Sequence, residues 1–260
     1  MMFSVTDIQL LELIGLYFFP FCRIGAFFLA APVFGSQLVN TRTRLIFALV
    51  VTAISAPLLP EVDIKVGINL ATLLAVVQQM LIGFAMGFIL QIVFHVFVLA
   101  GQLIAMKMGL GFASMNDPSN GITVTVVSQF YLMLSTLLFL SLNGHLIALE
   151  VLIDSFNVMP VAMFGITREA LWHVLSIGSW MFQGALLLAL PVLTSILIVN
   201  IAFGVMNRSA PQMNVFTVGF PITLIFGLLL IWFSLVSFLP NYQIIVNEGF
   251  QFVDGLLEAK

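Results

Sequence analysis

Charge is what this sequence has least of. Asp, Glu, Lys and Arg together make up 7% of its 260 residues, against 62% hydrophobic. A soluble domain carries about 25% charged residues, so this chain cannot cover a water-facing fold, and a bilayer is the solvent its composition suits. The eight Lys and Arg are scattered singly or in pairs and the formal net charge is −3, which leaves no basic stripe for a polynucleotide. The single cysteine, Cys22, excludes an intrachain disulfide and reads as a small buried hydrophobe. His95, His145 and His173 are isolated, and neither an HExxH nor a CxxC pair is present, so metal catalysis has no ligand set. A GxSxG nucleophile elbow and a Walker-type phosphate loop are also missing. Glu150 and Asp154 lie one helical turn apart, but at the end of an apolar span, where a solvated boundary accounts for them. No catalytic constellation and no cofactor are expected. Secondary transport of a small solute stays open as the alternative, although it calls for intramembrane carboxylates and no acid falls in the middle of a clear span.

What is present is a set of long stretches free of charge, which predict an all-α membrane protein of about six apolar helical segments, some kinked or broken. The first runs from about Leu13 to Phe34 and contains Pro20, Arg23 and Pro32; the acidic Asp7 and Glu12 ahead of it do not suit a cleavable signal, so it is expected to be retained. A second, short for a span, covers Leu45 to Leu59 and stops at Pro60. Val66 to Met106 is uncharged throughout and, at roughly 1.5 Å per residue, is about twice the hydrocarbon thickness. It must bend back or project from the membrane. A fourth span covers Ile122 to Leu149, a fifth Leu171 to Val205 with Pro191 inside, and a sixth Val215 to Leu239. The tail from Pro240 to Lys260 alternates apolar residues with Glu248, Asp254 and Glu258, as an amphipathic interfacial or partner-facing helix does. If the spans alternate, the odd loops carry Arg42, Arg44, Lys107 and Arg208 against Lys65 and Arg168 in the even ones, which leans the odd loops toward the cytoplasm.

Three features stand out. Arg23 is an intramembrane charge, which faces a bundle interior, snorkels to a helix end, or pairs with a neighbouring subunit. Gly83 and Gly87 lie four apart on one helix face, where a second backbone can approach closely. The segment Lys107 to Gly121 (KMGLGFASMNDPSNG) sets Leu110, Phe112 and Met115 among glycines and a proline. Apolar side chains in a loop read either as a hydrophobic stopper within a passage or as a re-entrant loop packed on the protein's own helices.

Several short motifs, in order, resemble the FliR family, the R subunit of the flagellar type III export gate, whose injectisome counterpart is SctT. They are Arg23 with Pro32 and Phe34, GLGFASMNDP at Gly109 to Pro118, NGH at Asn143 to His145, ALPV at Ala189 to Val192 with Asn200, and RSAPQMNVF at Arg208 to Phe216. The likeness covers essentially the whole chain. It implies one export-gate membrane domain, with residues 1–169 as a P-like part and 170–260 as a Q-like helical hairpin plus the amphipathic tail. The hairpins would pack within a hetero-oligomeric helical gate built with P and Q subunits (FliP, FliQ), with FlhB at its entrance. The gate passes unfolded flagellar proteins, sits in the bacterial inner membrane at the flagellar basal body, and lies partly above the bilayer plane. The resemblance makes Gly109, Leu110, Gly111, Phe112, Met115, Asp117 and Pro118 a pore plug. In it Leu110, Phe112 and Met115 are the apolar seal, Gly109 and Gly111 lend mobility, and Asp117-Pro118 sets the return turn. Arg23, Gly83, Gly87, Arg208, Pro211, Gln212 and Asn214 are expected partner contacts; the Arg208 turn would either meet an FlhB loop or serve as a simple cytoplasmic anchor.

Overall fold

The computed structural model describes residues 7–35, 39–60, 69–111, 125–162, 167–209 and 215–258. Every regular element among them is helical: α1 (Asp7–Ala30), α2 (Thr41–Ser55) with a one-turn 3-10 helix behind it (Ala56–Leu58), α3 (Leu70–Lys107), α4 (Val126–Ser141), α5 (Gly144–Val158), α6 (Arg168–Ser209) and α7 (Val215–Glu258). The described part of each expected apolar segment is mainly helix. Among the described residues four helices are long and apolar enough to cross a membrane, or five if the bent pair α4 and α5 makes one span, while α1 contributes a shorter apolar stretch, Gly15–Ala30.

The helices sort into two compact units. The first takes Met1–Ile92, Phe139–Ile177 and Gly249–Lys260; the second takes Val93–Leu138 and Gly178–Glu248. Each unit therefore draws on residues from both sides of the boundary at 169/170 that the resemblance implies. Phe19, Phe27, Phe28, Ile82, Met86, Leu152 and Phe156 are buried in the first. The second has an aromatic core in which Phe238 packs against Phe97 (ring centroids 5.6 Å apart) and Tyr131 (5.4 Å), with Tyr242 on Phe97 at 5.5 Å.

Four boundaries differ from the hydropathy reading, each for a backbone reason. Helix α1 continues through Pro20, because a proline removes a single intrahelical bond and apolar helices tolerate that loss. The overlong Val66–Met106 stretch does not fold back within its described part: α3 is one unbroken helix of 38 residues, about 57 Å long at roughly 1.5 Å per residue. The span expected to run to Leu149 is instead split, bending by 69° between Ser141 and Gly144. There Asn143 is left-handed (φ 59°), and a β-carbon on Gly144 would lie 2.6 Å from Cε2 of Phe139. Finally, the sixth span and the tail form the single helix α7, which passes through Pro221 and Pro240. In its tail Ile245, Val253, Leu256 and Leu257 are buried, while Gln243, Ile244, Asn247, Gln251, Asp254 and Glu258 are exposed.

Burial is uneven. Of the most apolar stretch of α3, 61% is buried within the chain, against 17% for α6 and 22% for α7. A helix that is apolar all round belongs in an interior, and α3 is the long helix most covered by its own chain. The bare apolar faces of α6 and α7 need cover from outside the chain.

Candidate functional site

In the first unit Arg23 is fully buried, and each of its three side-chain nitrogens donates within the chain. Its Nε–H donates to Gln79 Oε1 of α3 at 2.8 Å. One terminal nitrogen donates to the carbonyl and hydroxyl oxygens of Ser155 at 2.9 and 3.0 Å, and the other to the carbonyl of Met159 at 2.7 Å. The guanidinium carbon stands 4.0 Å from the centre of the Phe156 ring. No carboxylate takes part in these contacts. The charge is met by the carbonyls at the C-terminal end of α5, the negative end of its dipole, and by a π face. Arg23 thus ties α1 to α3 and to the end of α5, and its side chain is not available to a neighbouring subunit.

Gly83 and Gly87 also have an occupant within the chain. A β-carbon on Gly83 would overlap the Arg23 carbonyl oxygen, and one on Gly87 would lie 2.7 Å from the Phe27 carbonyl oxygen and 2.9 Å from Cβ of Ala30. The close backbone approach expected from another subunit is made by α1. A four-residue spacing of glycines carries no information on which helix fills the seam.

The segment expected to be a plug begins, in the second unit, on a fixed turn. Gly109 has φ +82°, its N–H donates to the Met106 carbonyl at 3.2 Å, and the N–H of Leu110 donates to the Ala105 carbonyl at 3.0 Å. This pair of bonds, with glycine in the left-handed position, is a Schellman motif that ends α3. A side chain at 109 would be strained, and its β-carbon would meet Cδ2 of Phe220 at 2.9 Å. Met108, one residue earlier, is fully buried and sits in a notch left by Gly227 of α7, where a β-carbon would be 2.7 Å from the methionine Cε and 2.8 Å from its Sδ. Gly109, expected to lend mobility, is here the stop that closes the helix. Leu110 is half-buried, and a β-carbon on Gly111 would meet Met106 only at ordinary contact distance. Phe112, Met115, Asp117 and Pro118 lie outside the described residues, as do Pro211, Gln212 and Asn214. Arg208 lies in the last turn of α6.

Gln79, Ser155, Met159, Phe220 and Gly227 escaped the sequence reading. Gln79 is one of four glutamines in a 38-residue helix whose charge is confined to Lys107 at its end, so nothing singled it out; the others carry no signal either, since a serine, a methionine, a phenylalanine or a glycine is ordinary in an apolar helix. Among the described residues no group of three or more His, Cys, Asp or Glu side chains is placed to hold a metal ion.

Comparison with known proteins places these features in a family. The sequence profile for "Bacterial export proteins, family 1" matches residues 14–249. The flagellar biosynthetic protein FliR of Escherichia coli (strain K12) is 36% identical over 256 residues, covering 98% of each chain. FliR of Aquifex aeolicus (strain VF5) is 33% identical over 249 residues, covering 95% of this chain and 93% of its own. FliR of Bacillus subtilis (strain 168) is 29% identical over 218 residues, covering 82% and 83%. With its apolar helices and a match that runs through nearly all of them, the chain is a multi-pass membrane protein that belongs to family 1 of the bacterial export proteins, the FliR family.

Proposed function

We propose that this chain is a structural and gating subunit of the flagellar type III protein-export channel, seated in the inner (cell) membrane at the basal body. It works without catalysis, assembles with FliP-type and FliQ-type subunits and an FlhB-type protein, and helps pass unfolded flagellar proteins. In this reading the part up to about residue 169 is P-like and the remainder Q-like, and the turn with Arg208, Pro211, Gln212 and Asn214 meets the FlhB-type partner. Solute transport has no observation in its favour, since the deeply buried charge, Arg23, is committed to packing.

The residues that follow α3 act as the plug, with Leu110, Phe112 and Met115 as its apolar seal and Asp117-Pro118 as its return. The supporting observation is the root of that segment: the Schellman stop at Gly109 and the seating of Met108 against Gly227. A plug functions only if its base is held while its seal stands in the passage. Apolar narrowing excludes water and ions by dewetting, yet soft side chains such as Met yield to an arriving polypeptide.

Serine at all three positions, Leu110, Phe112 and Met115, is expected to make resting membranes conduct ions while the complex still purifies whole. Unchanged conductance with an intact complex removes the plug from this proposal.

A further inference from the structure

In the second unit a groove of about 340 Å³ lies between α6 and α7. Its polar lining is Trp180 and Gln183 from α6 with Asn241 and Glu248 from α7, and its apolar lining includes Leu187 and Ile244. Trp180 Nε1–H donates to Glu248 Oε2 at 2.7 Å. Among the described residues that indole is the carboxylate's only polar partner, and the lining holds no Lys, Arg or His. An ionised carboxylate accepts at about four lone-pair sites, so a single N–H donor leaves most of that capacity open. The lining therefore has a negative charge, two side-chain amides and no positive charge to match.

We propose that this groove seats an arginine carried on an apolar helix of a neighbouring membrane subunit. The proposal rests on the reading of the chain as one subunit of an assembly, and adds to it the place and chemistry of a contact. The guanidinium fork suits the site because it can meet a carboxylate and amide oxygens in one plane, which an ammonium does less well. A helix suits it because Leu187 and Ile244 are 62% and 56% exposed and stand among the bare apolar faces of α6 and α7. A zwitterionic phospholipid would bring an ammonium group beside a phosphate, which the Glu248 carboxylate repels.

The test uses the full chain in its native membrane assembly, with a photoreactive benzoyl-phenylalanine replacing Leu187 or Ile244. The expected adduct maps to an apolar helix of another chain, within one turn of an arginine. Glu248→Gln, which keeps an oxygen for the Trp180 N–H, is expected to lower the adduct yield about tenfold or more. Glu248→Arg joined to a change of the partner's arginine to glutamate is expected to restore it. Adducts confined to lipid or to this chain, or a yield that ignores Glu248→Gln, overturn the proposal. If the native chain leaves the membrane with no other subunit, the assembly reading falls along with it. If it leaves with partners but Glu248→Gln is silent, only the groove assignment falls.

Discussion

An arginine buried without a carboxylate has to be held by dipoles, and Arg23 shows how: two backbone carbonyls at a helix end, a hydroxyl, an amide oxygen and a phenyl face. Removing the charge would leave the Met159 carbonyl and the Gln79 oxygen without these donors in an apolar interior. Hydrogen bonds to charged groups contribute about 1.5–3 kcal/mol each and are not additive, so Arg23→Met is expected to destabilise the protein by on the order of 3 kcal/mol. Arg23→Lys should cost less, since an ammonium keeps the charge and three donors but loses the fork and the flat stacking surface. Thermal unfolding in detergent would order the three proteins as native, then Lys, then Met; a Met variant as stable as the native chain would show that the network supports nothing. The charge itself was legible in the sequence. Its partners were not, because they lie 56, 132 and 136 residues away, and an uncharged acceptor leaves no mark in a hydropathy pattern.

At the scale of the element, the instructive place is the turn between α4 and α5. Both sides are apolar, so the charge gap ran through it, and the break is written only in the backbone: Asn143 at φ 59° followed by Gly144 lying flat on Phe139. Asparagine and glycine visit the left-handed region readily, whereas a β-branched residue does not. Asn143→Val is expected to cost about 1–2 kcal/mol, and Asn143→Gly to stay within about 1 kcal/mol of native, because glycine meets no Cβ penalty there. The melting temperatures of the two variants check this, and equal losses would mean that the left-handed turn is not what sets the bend. The same contrast marks the plug root. Its glycine richness was visible, but Met108 closes on Gly227, a residue 119 positions downstream by the numbering, and the sequence offers no means of pairing them. The all-helical class and the order of the apolar stretches were legible because hydrophobic length is a property of composition; the count of helices, their kinks and stops, and knob-in-notch contacts belong to packing and were not.

For the whole molecule the governing question is what covers α6 and α7. Only 17% and 22% of their most apolar stretches are buried within the chain, and residues such as Phe182, Ile198, Trp232, Phe233 and Val236 are more than half exposed. Lipid tails would satisfy these side chains as well as protein would, since apolar burial does not distinguish the two. Length offers a distinction that chemistry does not: α6 and α7 have 42 and 44 residues, more than twice the roughly 20 that cross a hydrocarbon core. A helix that long leaves apolar side chains beyond the lipid unless it tilts steeply or other chains surround it. The family's place among export proteins favours neighbours of protein. A photoreactive probe dissolved in the lipid phase separates the cases, when applied to the chain expressed alone and to the chain co-expressed with the FliP-type and FliQ-type subunits proposed for it. Labelling of α6 and α7 is expected to be strong in the lone chain and to fall several-fold in the assembly, while the most apolar stretch of α3, 61% buried within the chain, changes less between the two. Equal labelling of α6 and α7 in the two samples would mean that lipid is their cover and that these helices are ordinary, though long, membrane spans.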